Sequence, residues 1–160
     1  MKRIKLTKGQ FAIVDDSDFE RLNKHKWLAL KNRNTWYAVR HTYRNGIRVT
    51  IGMHREIMGL EPGDPRLVDH KNHNGLNNWR ENLRICTNSQ NHQNENPRRN
   101  GSSVFRGVYW NKAAKKWRAQ IRLDGHARYL GSFHSETEAA RAYDQKAKEL
   151  FGEFACVNAV

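Results

Sequence analysis

The sequence predicts an α+β chain in two units. The first is β-rich and carries a β-β-α hairpin; the second is a three-stranded antiparallel sheet packed on one helix. Three observations predict this. Short apolar runs alternate with polar residues and are parted by turn signals such as Asn45-Gly46 and Asp124-Gly125. A capping box, Ser135-Glu136-Thr137-Glu138, opens a long helical run that Gly152 closes. Between the units, residues 93–103 read QNENPRRNGSS, polar throughout, with Pro97 and Gly101.

The elements follow in order. Phe11, Ile13 and Val14 form a first strand, ended by Asp15-Asp16. Residues 17–26 read as a helix, with Ser17 as N-cap and Glu20 at the capping-box position. Trp36–Arg40 and Ile47–Ile51 flank Asn45-Gly46, the strongest short-range hairpin signal. Met53–Met58 is a short helix stopped by Gly59. In the centre, Leu67 and Val68 anchor one strand, and Leu83 and Ile85 alternate on the next. Thr87 and Gln90 then fit a capping box that places Asn91 in the first helical turn. The C-terminal strands are 104–110, 116–123 and 127–133. Ala139, Ala142, Tyr143, Ala147 and Leu150 recur at helical spacing and face that sheet. Trp36-x-Ala38-x-Arg40 echoes Trp117-x-Ala119-x-Ile121, which fits a structural repeat or simply shared strand chemistry.

Composition narrows the partner. Among 160 residues, 29 Lys and Arg face 16 Asp and Glu, a net charge of +13. A polyanion is therefore the leading partner, nucleic acid before an anionic membrane. Five Trp, five Tyr and six Phe argue against wholesale disorder. The two cysteines, Cys86 and Cys156, are too far apart for a disulfide scaffold or a cysteine-built zinc site, so no structural zinc is expected. No apolar run approaches a membrane span, and MKRIKLTKGQ lacks a secretory apolar region. The expectation is a cytoplasmic, unsecreted protein of a bacterial or phage-infected cell, with no membrane partner and no obligate protein partner.

The centre is rich in asparagine, a residue poor in helix and strand interiors: ten lie between His70 and Asn100. Asp69 and His70 are adjacent. Asp is a hard oxygen ligand suited to Mg²⁺ or Mn²⁺, and His has the side-chain pKa suited to base catalysis near neutrality. The Asn82 carbonyl, on the facing strand, could accept from one ring N–H of His70 and fix its tautomer. Asn91 could add a neutral oxygen ligand. The bland alternative is a polar hairpin with a solvated histidine. His54 stands between a core and a DNA-facing role; His25, His41, His126 and His134 read as structural or surface residues.

Asp69-His70, Asn82 twelve positions after that His, the Asn82-Leu83-Arg84 tripeptide, and Asn91 nine positions further resemble the HNH endonuclease family in its phage and homing branch. The likeness covers Leu67 to Asn96. It implies a β-β-α-metal hairpin that hydrolyses DNA phosphodiesters with one divalent metal, Mg²⁺ or Mn²⁺. By that resemblance His70 is the general base, Asn82 orients it, Asp69 and Asn91 bind the metal, and Arg84 holds a phosphate. The loop Asn72-His73-Asn74 departs from the family's usual D-G-N or N-G-N, leaving His73 unexplained, and His92 or Asn94 could replace Asn91.

In the second unit, Trp117, Ala119 and Ile121 share one strand face; Lys116, Arg118, Gln120 and Arg122 share the other. From Phe105 to Leu130 there are seven basic residues and one acid, Asp124. That charge segregation fits a sheet laid on DNA. Phe105-Arg106-Gly107-Val108, Lys116-Trp117-Arg118-Ala119-Gln120-Ile121, Leu130-Gly131-Ser132-Phe133 and Ala139-Ala140-Arg141-Ala142-Tyr143-Asp144 resemble the APETALA2/ethylene-response-factor type DNA-binding domain. That resemblance implies a sheet in the major groove and nominates Arg106, Gln120, Arg122 and Tyr129 as DNA contacts. Lys116, Arg118 and Arg128 join them on local charge.

The division expected is 1–60, a β-rich DNA-facing support; 61–96, the HNH motif; 97–103, a linker; and 104–160, the APETALA2-type domain. The function expected is a site-directed, nicking, homing-type endonuclease acting on double-stranded DNA. The rival is a non-catalytic DNA-binding regulator with a decayed nuclease domain. An RNA-binding module is weaker, because no RNP-type aromatic motif or GxxG clamp is present.

Overall fold

The structure is a computed structural model that describes every residue except 33–34, 95–100 and 159. It is mixed α+β and rich in strands, and it divides into two compact units, Met1–Asn91 and His92–Val160. The linker expected at 97–103 begins outside the described residues. Its last residues belong to the second unit: Ser102 Oγ accepts from Trp110 N, and Ser103 Oγ donates to Glu136 and accepts from Phe105 N.

The first unit is built from small sheets. Strands β1 (Lys2–Lys5) and β2 (Phe11–Val14) pair antiparallel. Ile4, Leu6, Ala12 and Val14 point inward, as period-two alternation demands. Helix α1 is Asp16–Leu22 rather than 17–26. Its N-cap is Asp15, not Ser17, and no side-chain capping bond forms. The carboxylates that would cap are drawn elsewhere. Asp15 accepts from Arg80 N, and buried Asp18 accepts from the guanidinium groups of Arg80 and Arg21.

Strands β3 (Leu28–Asn32), β4 (Thr35–Arg44) and β5 (Ile47–Gly52) form an antiparallel meander. Asn45 and Gly46 both take positive φ, the geometry that an Asn-Gly hairpin turn requires. Helix α2 (Met53–Ile57) follows, and β6 (Leu67–His70) continues toward the site. Trp27, Leu22, Met53, Ala38 and Val14 lie at the centre of the core, and Trp27 Nε1 donates to the Leu22 carbonyl at 2.9 Å.

The second unit has the architecture its sequence predicts, with some strand ends shifted. Strand β9 is Val108–Asn111, shorter than the expected 104–110. Gly107, at φ +74, packs against the Tyr143 ring and the Gln120 carbonyl, so the chain turns there and pairing starts one residue later. Strands β10 (Lys116–Leu123) and β11 (His126–Phe133) complete the sheet, with β10 central. The capping box is present on the last helix, Glu136–Phe151. Ala139, Ala140, Tyr143 and Ala147 of that helix are buried. Asn158 closes the unit: its side chain accepts from Arg106 N and donates to the Arg106 carbonyl and to Asp144. Among the described residues no helix is long and apolar enough to cross a membrane.

Candidate active site and nucleic-acid surface

The central strand β6 pairs antiparallel with β8 (Leu83–Cys86), setting Asp69 across from Arg84 and His70 across from Leu83. A loop joins them. It contains a strand not expected from the sequence, β7 (Asn77–Asn78), which runs parallel to β2 and pairs Val14 with Asn78. Helix α3 (Asn88–Gln93) follows β8. The capping box expected there is formed: Thr87 Oγ1 accepts from Gln90 N, and Gln90 Oε1 accepts from Thr87 N. Asn91 is half-buried on this helix.

The asparagines have a structural explanation. Asn72 and Asn74 each accept, through Oδ1, the backbone N–H two residues on, which is the Asx turn that makes Asn a loop residue. Asn82 is buried. Its amide donates to Asn72 Oδ1 and the Asn77 carbonyl and accepts from Asn72 N, while its own carbonyl accepts from Lys71 N. Asn82 therefore binds the loop to itself. His73 sits at positive φ and its N–H meets the His70 carbonyl in the turn.

Asp69 and His70 are both buried. His70 Nε2 lies 3.2 Å from Asn78 Oδ1. Its ring meets the Tyr37 ring at 5.8 Å and the His54 ring at 5.2 Å, both edge-on. Burial lowers the His70 pKa, outweighing the opposing effects of Asn78 and the Asp69 charge, and so favours the uncharged ring. His54 is pushed further, to about 3, by burial first and then by the charges of His70 and Arg55. Its Nδ1 is buried without a hydrogen-bond partner. Neither Tyr37 nor His54 stands out in the sequence as a site residue, because each reaches His70 only through tertiary contact.

Arg84, expected at a phosphate, is buried against Asp69: Nε and Nη2 both donate to Asp69 Oδ2, at 2.9 and 2.7 Å. A buried pair of this kind fixes the carboxylate's orientation, and breaking it would strand a charge. Asp69 and Asn91 carry oxygen donors of the kind a hard divalent ion takes. Such an ion keeps waters and accepts phosphate oxygens, so one carboxylate with a neutral amide oxygen suffices. Among the described residues no group of three or more His, Cys, Asp or Glu side chains is placed to hold a metal ion.

On the second unit's sheet, Gln120 and Arg122 are exposed, and Tyr129 is 61% exposed directly across from Gln120. Lys116 and Arg118 lie on the same face, half-buried, and the Arg118 guanidinium sits 5.8 Å from the Tyr129 ring centroid. Arg128 does not join them. A β-bulge between Ala119 and Gln120 shifts the register, so Arg128 pairs with Ile121, whose side chain faces the helix. Arg106 is half-buried and donates to the His92 carbonyl.

A buried imidazole next to a carboxylate, in a strongly basic chain, fits general-base chemistry on a polyanion. Comparison with known proteins agrees. Residues 55–93 match the model of the HNH endonuclease family. Over 158 residues the chain is 32% identical to an uncharacterized HNH endonuclease of Acanthamoeba polyphaga mimivirus, spanning 96% of this chain and 77% of that protein. The chain belongs to the HNH endonuclease family. In its C-terminal portion, 61 residues (37% of the chain) are 48% identical to dehydration-responsive element-binding protein 2C of Arabidopsis thaliana. Protein 2A of that name from Oryza sativa subsp. indica is 41% identical over the same length. The match covers 18% of the first plant protein and 22% of the second. No solved structure matches the chain.

Proposed function

We propose that this protein is a DNA endonuclease of the nicking, homing type, with a β-rich support region at residues 1–60, an HNH nuclease motif at 61–96 and an APETALA2-type DNA-binding domain at 104–160. The observation that carries the reading is the buried His70 next to Asp69 at the end of β6, inside the stretch that matches the family.

His70 takes the proton from the attacking water. Arg84 holds Asp69 in place. Asp69 and Asn91 would hold a divalent ion, Mg²⁺ or Mn²⁺, which when bound supplies positive charge against the leaving 3′-oxygen. Asn82 keeps the loop closed around His70. Hydrolysis leaves a 5′-phosphate and a 3′-hydroxyl. One site per chain makes the single copy a nicking enzyme. Gln120, Arg122, Tyr129, Lys116 and Arg118 form the surface that sets the enzyme on its duplex. Base edges are read by the amide and guanidinium groups, and phosphates by charge.

The test is a supercoiled-plasmid assay with the full chain. The open-circular form should accumulate with Mg²⁺ and stop with EDTA. Full activity in EDTA would overturn the one-metal reading. Binding without any cleavage under every divalent ion would leave a DNA-binding regulator instead.

A further inference from the structure

We infer that Asn78 is a positioning residue for His70: its side-chain oxygen holds the ring as the Nε2–H tautomer, so the atom that accepts the proton is Nδ1. This rests on the reading of His70 as general base given above and adds to it the residue that sets its proton.

Asn78 is completely buried, an uncommon place for a neutral amide unless its groups are used. Its Nδ2 donates to the Gly75 carbonyl at 3.3 Å. That contact decides which end of the amide is which, because the reversed amide would set two oxygens against each other. Oδ1 therefore faces His70 Nε2, at 3.2 Å. An amide oxygen only accepts, so Nε2 must carry the hydrogen, and in the neutral ring the lone pair is then on Nδ1.

Asn78 is itself held from outside the hairpin. Gly75 N donates to Thr35 Oγ1 at 2.9 Å, and the Leu76 carbonyl accepts from Ile13 N at 2.8 Å. A Cβ at position 75 would come within 2.5 Å of the Trp36 carbonyl and 2.7 Å of the Tyr37 ring, so only glycine lets the loop seat this closely. The chain of support runs from β2 and β4, through Gly75 and Leu76, to Asn78 and then to the imidazole. A neutral acceptor also suits the position. It orients the ring without adding negative charge where a phosphate must approach.

The test uses the full-length protein with ring ¹⁵N labels on histidine. Long-range ¹H–¹⁵N spectra at neutral pH, with the His70 signals assigned by their loss in His70→Ala, should show the Nε2–H tautomer in the wild type. Asn78→Ala should fold and bind DNA, keep KM, lose about 10–100-fold in kcat, and lose the single tautomer. If Asn78→Ala does not fold, Asn78→Ser takes its place, keeping a polar group in the buried position while being too short to hold His70. A wild-type Nδ1–H tautomer, or an Asn78 variant with unchanged tautomer and kcat, overturns the inference. If His70→Ala is inactive while the Asn78 variant keeps full activity, only the role of Asn78 fails. If His70→Ala cleaves at the wild-type rate, the general-base reading fails and takes this one with it.

Discussion

The meander β3–β4–β5 and the meander β9–β10–β11 are built on the same local pattern and serve opposite purposes. In each, the central strand carries Trp-x-Ala, and the alanine, Ala38 or Ala119, is completely buried. Both meanders lead into a helix. The first helix has five residues and the second sixteen. That difference decides the rest. The long helix covers its own sheet with Ala139, Ala140, Tyr143 and Ala147, and the polar face of the sheet stays open. The short helix cannot do so, and the first sheet joins a shared core with β1, β2 and α1. One of its tyrosines, Tyr37, and a histidine of its short helix, His54, are spent on walling in His70. One strand pattern therefore yields a self-contained surface in one place and a support for chemistry in the other, depending on how much helix follows.

Four experiments break or sharpen this contrast. The largest effect should come from His70→Ala, which removes the proposed base and should cut the cleavage rate by about 10²–10⁴ while DNA affinity holds. Filter binding beside plasmid nicking would show it, and equal loss of both would blur the two roles. Next comes Gly107→Ala. The new Cβ would collide with the Tyr143 ring, lie 2.6 Å from the Gln120 carbonyl, and sit at φ +74. A cost of about 2–4 kcal/mol should fall on the second unit. In urea unfolding, DNA binding should be lost at a lower midpoint than cleavage-site structure read from Trp27 and Trp36.

The third experiment is a pH series. A histidine whose folded pKa lies below its unfolded value binds its proton more readily when unfolded. Stability is therefore full above about 6.5 and falls as pH drops toward the folded value, about 3 for His54. The slope is about 1.4 kcal/mol per pH unit, so His54 alone should cost about 2 kcal/mol by pH 5. His54→Phe should flatten that part of the curve and leave the part due to His70. A variant as acid-sensitive as the wild type would show that His54 does not carry this part of the acid response. The smallest effect belongs to Arg122→Ala. If it reads a guanine edge, about 1–3 kcal/mol and one base preference should be lost. If it meets only phosphate, every sequence should weaken alike and the salt slope should fall by about 0.9.

Local chemistry made much of the fold legible. Asn45-Gly46 specified its turn, Thr87/Gln90 and Ser135/Glu138 specified two helix starts, and period-two alternation sorted β10 into an inner and an outer face. Features that depend on distant partners were not legible. Ser17 and Glu20 look like a capping box, but the acids around them are engaged by Arg80, more than sixty positions away. Arg128 would have paired with Arg122 in an unbroken register; the bulge moves it opposite Ile121, and no count along one strand reveals a bulge in the pair. In the site, the adjacency of Asp69 and His70 was plain. Arg84 read as a phosphate ligand because burial of a guanidinium cannot be inferred from a hairpin's own residues. Asn78 was invisible among its neighbours, since a two-residue strand of asparagines has no apolar period to find.

The pairing of β7 with β2 bears on how such a nuclease can be passed between genes. The stretch that carries the family likeness, 55–93, omits Ile13, Asp15, Asp18 and Thr35. These are the residues that take hold of the loop and of Arg80. A recombination event that moved only the recognisable stretch into a new host protein would import the chemistry without its anchorage. The unit that folds around the loop is therefore longer than the motif by which it is recognised.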